Sequence, residues 1–127
     1  MKKRPTSFTF IDEIYNARIH ILYLRTNEEV EEYFKENFPG AVYDRNNQKA
    51  AHSCAIECDG YTEYLIDFIL AVNNRKYLQD TIAHEAHHIV QYIFDDRGVK
   101  SDRGNSEPEA YYLGYLVRKI TEGIFDK

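Results

Sequence analysis

The chain has 127 residues, 43% apolar and 14% aromatic, with eleven tyrosines, a net charge of −5 and a pI near 5.5. That length fits one domain with a real core and no need of disulfide staples, so residues 1–127 are expected to fold as a single unit. The acidic surplus has the wrong sign for a general nucleic-acid binder, which must neutralise phosphates. The apolar and aromatic content sets the chain apart from disordered segments.

The N-terminal "MKKRP" leads into a stretch carrying Asp12, Glu13 and Arg18, so the uninterrupted apolar region of a signal peptide is not expected. No run reaches the roughly 18 apolar residues of a membrane span. A soluble cytoplasmic protein without a membrane partner is the expectation. Cys54 and Cys58, four apart in "HSCAIEC", read as reduced thiols; a zinc pair with His52 lacks a second matching half.

In chain order, "SFTFIDEI" and "ARIHILYL" are rich in β-branched and aromatic residues and read as strands. "TNEEVEEYFKENFPG" reads as a helix capped by Thr26 or Asn27, with acidic residues in its first turn and Pro39-Gly40 as its stop. Val30, Tyr33 and Phe34 form its apolar stripe. After the polar turn "DRNNQK", the segments "AAHSCAIEC" and "YTEYLIDFIL" flank Asp59-Gly60, a hairpin signal. Helical patterning then runs from about Asn74 to Phe94 and, past a glycine-punctuated loop, from about Ser106 to Glu122. The fold class is therefore α+β: a small sheet with a β-hairpin packed on the histidine-bearing helix and a C-terminal helix.

The chemistry concentrates in "HEAHH", where His84, Glu85 and His88 spell H-E-x-x-H. Histidines at i and i+4 on a helix point the same way, so both imidazoles can reach one zinc ion, with the intervening glutamate beside it as a base. At about 100° per residue, Leu78, Ile82, Ala86, Ile89, Val90 and Ile93 gather on one side of this helix. His84 and His88 project roughly 150° away from that apolar side, on a face that suits the floor of a cleft. The competing reading is a surface helix with two histidines spaced by chance. His87 falls on the flank, as an exposed side chain or a neighbour supporting the ligands.

A catalytic zinc takes three protein ligands and keeps one position open. Downstream, "NSEPEAYYLGYLVRKI" offers Glu107 and Glu109. If Ser106 is the N-cap, Glu109 completes a capping box and Glu107 stays free; if Pro108 takes the first helical position, Glu107 is itself the cap. Glu107 is preferred, because Ala110 and Gly114 on its face would let this helix approach the histidine helix closely. Tyr111, with Tyr115 on its edge, is a candidate phenol for a developing oxyanion, and Arg118 falls further along the same face, where it pairs with a carboxylate or meets substrate.

Together, "HEAHH" and "EPEAY" resemble the zincin metallopeptidases of the gluzincin type, and the E-x-x-A spacing is similar to that of compact ImmA/IrrE-like zincins of bacterial and phage genomes. His87 stands where that pattern usually has glycine. The resemblance implies zinc on His84, His88 and Glu107, with Glu85 as general base, and a peptide or protein substrate. It also implies an edge strand that binds extended peptide, for which "TEYLIDFIL" is the candidate because it leads into the histidine helix. Two other readings compete: an inactive zincin scaffold that acts as an acidic binding regulator, and a structural metal site closed by Asp95 or His87.

Overall fold

The structure is a computed structural model and describes residues 7–23, 26–41, 51–68, 75–100, 104 and 106–125, with the backbone alone at 75–77. The turn "DRNNQK" lies outside the described residues. The elements are β1 (Ser7–Ile11), β2 (Arg18–Tyr23), α1 (Asn27–Asn37), β3 (His52–Glu57), β4 (Thr62–Phe68), α2 (Arg75–Arg97) and α3 (Glu107–Phe125). They form an α+β domain around a four-stranded mixed sheet of order β1-β2-β4-β3. β2 and β4 run parallel, while β1 with β2 and β3 with β4 are antiparallel.

Each turn has a local cause. Between β1 and β2 the Asp12 carboxylate accepts from the backbone N–H of Ile14 (3.0 Å), Tyr15 (2.5 Å) and Ala17 (2.7 Å), which holds Asn16 in the left-handed region at φ 56°. Thr26 caps α1 in a full capping box with Glu29. The β3–β4 connection is the expected two-residue one at Asp59-Gly60, with Cys58 N–H donating to Tyr61 O at 2.7 Å and Gly60 at φ 85°.

α2 runs to Arg97, three residues beyond the predicted Phe94, and closes on Gly98 at φ 68°. There Val99 N–H donates to Phe94 O (2.8 Å) and Gly98 N–H to Asp95 O (3.3 Å), the paired bonds of a Schellman cap. The glycine ends the helix, so the polar Asp95-Asp96-Arg97 run is helical.

Strand alternation splits the core in two. Ile19, Ile21, Tyr64, Ile66 and Phe68 face α2 and α3, where they meet Leu78, Ile82, Ala86, Ile89, Val90 and Ile93 together with Tyr112, Leu116, Ile120 and Ile124. Leu22, Leu65 and Ile56 face α1 and its Val30, Phe34 and Phe38. The predicted α2 stripe is buried throughout. In α1, Val30 and Phe34 are buried and Tyr33 is half-buried.

One expectation is corrected. β4 is interior, bonded to β2 on one side and β3 on the other, so it has no free edge for a peptide. Its residues Glu63 to Phe68 are all buried, as a strand covered on both faces requires. β3 is bonded to β4 alone among the described residues, only its Ser53 and Ile56 are buried, and it packs beside α2. The strand edge next to the histidine helix therefore belongs to His52–Glu57.

Candidate metal centre

The geometry of α2 sets the histidine pair. Its apolar stripe is anchored on the sheet, so residues on the far side must look outward. His84 has a side chain 68% exposed, and His88 is half-exposed. Their Nε2 atoms stand 3.3 Å apart, with ring centroids at 4.9 Å. Two imidazole nitrogens bound to one tetrahedral zinc at about 2.0–2.1 Å are separated by about 3.3–3.4 Å. The pair thus fits a zinc ion as its first two ligands, and a neutral N–H···N contact has the same length.

Glu85 differs from its neighbours. It is 7% exposed, and its Oε2 lies 3.9 Å from His84 Nε2. The helix thus holds a carboxylate at the side of the pair, shielded from bulk water, where a base for ligand-site water has to be.

The third position is open. Among the described residues no three His, Cys, Asp or Glu side chains gather as a metal-holding group. Glu107 is the first residue of α3 and is exposed; among the described residues it has no hydrogen-bond or ion-pair partner. Ser106 O accepts from Ala110 N–H at 3.0 Å, so Ser106 is the N-cap and Pro108 the second helical residue.

The packing reason for preferring Glu107 is corrected by the structure. Ala110 and Gly114 are exposed, and open space surrounds Gly114, so the Glu107 stripe faces solvent. α3 meets the core through Tyr112, Leu116, Ile120 and Ile124 instead. Glu109 lies on that inward side, and its carboxylate sits 3.3 Å from His87 Nε2. His87, expected to be exposed, is half-exposed and bridges the two helices through this contact. The two acids have opposite merits: Glu107 is uncommitted but outward, while Glu109 faces α2 but is engaged.

Tyr111 is 74% exposed and shares the outward stripe of Glu107. Tyr115 is turned to the β1–β2 turn, where its hydroxyl accepts from Glu13 N–H at 3.1 Å. Arg118 pairs with Glu122 at 3.2 Å. Asp95 is exposed near the end of α2. Cys54 and Cys58 are free thiols, and burial pushes Cys54 up to about 12, far from the thiolate a metal needs.

Nearer the pair stands a residue the sequence reading passed over. Tyr92 is one helical turn after His88 and two after Glu85, and its ring lies near-parallel to the His88 imidazole, 24° apart with centroids at 6.5 Å. Burial, the Cys54 thiol and Glu85 push its pKa upward, while Ser53 of β3 acts in the opposite direction. The i, i+3, i+7 spacing of Glu85, His88 and Tyr92 was the available signal.

Cavities form elsewhere. One of about 720 Å³ opens at the β2 and β4 starts, among Arg18, His20, Tyr61, Glu63 and Arg97, and one of about 440 Å³ lies between Gln91, Tyr92, Asp95 and Glu109. Neither of these two is lined by His84, Glu85 or His88. The larger cavity has His20 and Glu63 in its wall, with His20 Nε2 donating to Glu63 Oε1 at 2.5 Å. No family model, no curated protein and no solved structure matches this chain.

Proposed function

We propose that this protein is a zinc-dependent peptidase of the gluzincin kind. The observation that carries the reading is the 3.3 Å spacing of the His84 and His88 Nε2 atoms on an outward face, with buried Glu85 beside them. His84 and His88 hold the metal. Glu107 is the first choice for the third ligand because no partner has to be displaced, and Glu109 is the rival that must leave His87 to serve.

Zinc held here would supply a Lewis acid and acidify water, to a pKa of about 7. Glu85 would be placed to take a proton from the attacking water and to return it to the departing amine. Among the described residues β3 is bonded to β4 alone, and its other edge would take an extended peptide as an added strand beside α2. A cytoplasmic setting suits the two free thiols, and no described helix is long and apolar enough to cross a membrane.

The test is Glu85→Gln. Zinc content should be unchanged while hydrolysis of an unfolded polypeptide falls by about 10²–10⁴-fold, the usual share of a general base; full activity in this variant would sink the assignment. For the third ligand, Glu107→Ala should lose zinc affinity and Glu109→Ala should keep it. The reverse outcome moves the ligand to Glu109.

A further inference from the structure

The larger of the two cavities has no part in the hydrolytic scheme. At about 720 Å³ it falls within the roughly 300–1,000 Å³ of small-molecule sites. It opens where β2 and β4 begin, between the β1–β2 and β3–β4 turns and the last turn of α2. Two kinds of group meet in its wall. Ile11 and Tyr61 are large apolar side chains left exposed to solvent, and both stand on this cavity. Arg18 and Arg97 bring two guanidinium groups to the same space.

The hydrogen bonds decide which of the charges in the wall is available. Glu63 Oε1 accepts from His20 Nε2 at 2.5 Å, and Asp96 Oδ2 accepts from the Tyr64 hydroxyl, so each acid is tied to a donor on the sheet. The guanidinium groups are less engaged. Arg18 Nε stands 3.9 Å from Glu63 Oε1, well beyond the about 2.7–2.9 Å of a charge-assisted hydrogen bond. Arg97 donates from Nη2 to Tyr15 O at 3.3 Å. A guanidinium carries five N–H donors in a planar fork, and the oxygens of a carboxylate or phosphate match that fork.

We propose that this cavity binds a small organic anion, one carboxylate or phosphate on an apolar or planar body. Arg18 and Arg97 hold the anionic group, and Ile11 and Tyr61 cover the body, which removes apolar area from water. The acids set a limit on the class. A polyanion would bring its charge against Glu63 and Asp96, so a single anionic group fits where a nucleic-acid strand does not. The site shares no residue with the histidine pair, so its test is independent of metal binding.

Amide NMR of the full chain, titrated with benzoate and with phenyl phosphate, provides that test. Saturable shifts should appear at Ile11, Arg18, Tyr61 and Arg97, with dissociation constants on the order of 1 mM for probes of this size. Acetate and inorganic phosphate lack the ring and should bind about 10-fold more weakly or worse. Arg18→Gln and Arg97→Gln should each weaken the ringed probes by about 10-fold or more, the loss expected for charge-assisted hydrogen bonds. Both arginines are exposed, so these variants keep the fold. Arg118→Gln removes the same charge from α3 and should change nothing. The tighter of the two ringed probes identifies the anionic group as carboxylate or phosphate.

No saturable shift at these four residues with either ringed probe would overturn the proposal. So would shifts at His84 and His88 alone, full affinity in both cavity variants, or ringless anions binding as tightly as ringed ones. Equal weakening by Arg118→Gln would reduce the effect to net charge and overturn it too.

Discussion

Two histidine sites lie on opposite sides of the sheet and put the same side chain to different uses. On the α1 side, His20 is 6% exposed and both of its ring nitrogens are engaged. Glu63 can only accept, so His20 Nε2 is the donor at 2.5 Å, which leaves Nδ1 to accept from the Tyr33 hydroxyl at 2.7 Å. Rings of Tyr33 and Phe38 close around it. On the α2 side, His84 and His88 are exposed or half-exposed and their Nε2 atoms face each other. Both ring nitrogens of His20 are thus committed to partners within the protein. The outward site keeps its lone pairs where an ion can reach them. Histidine content alone does not distinguish these cases; what the second nitrogen does and which face it occupies do.

Stability should respond to the two sites unequally. His20→Leu leaves Glu63 buried beside an apolar side chain and should cost about 3 kcal/mol, the lower range for breaking a buried pair, read by urea unfolding. His84→Ala in metal-free protein should lie within about 0.5 kcal/mol of the wild type, as for an ordinary surface change. A large loss at His84 without metal would make that histidine structural and blur the contrast.

Acid should sharpen it further. Burial lowers the His20 pKa below its ordinary 6.5, outweighing the opposing effect of Glu63. The unfolded chain therefore binds the proton more readily, and His20 contributes stability that is complete above pH 6.5 and is lost as pH falls through the folded value. His20→Gln should flatten that part of the stability curve below pH 6.5. An unchanged slope would show that His20 does not titrate with unfolding.

Much of the fold was legible because its signals are local. Thr26, Asp59-Gly60 and the α2 stripe each act within a few residues, and the structure uses them as read. The parallel pairing of β2 with β4 is a contact between distant segments, and no local pattern states it. A trace was present: the nearly continuous apolar run in "YLIDFIL" marks a strand covered on both faces. α3 shows the same limit. Tyr112, Leu116 and Ile120 set which side of the helix faces inward, and that stripe competes with Ala110 and Gly114, whose small size suggested the opposite side. The histidine pair was legible in full, since the i, i+4 spacing and the stripe opposite it fix both direction and exposure. Tyr92 was missed because an aromatic residue at helical spacing usually packs in a core.

Zinc titration of the metal-free protein tests the central claim most directly, with the wild type compared against His84→Ala and His88→Ala by calorimetry at neutral pH. The account predicts one zinc ion per wild-type chain, with proton release where a protonated ligand gives way to the metal, and no comparable binding in either variant. Equal zinc binding in the wild type and both variants, or none in the wild type, would contradict it.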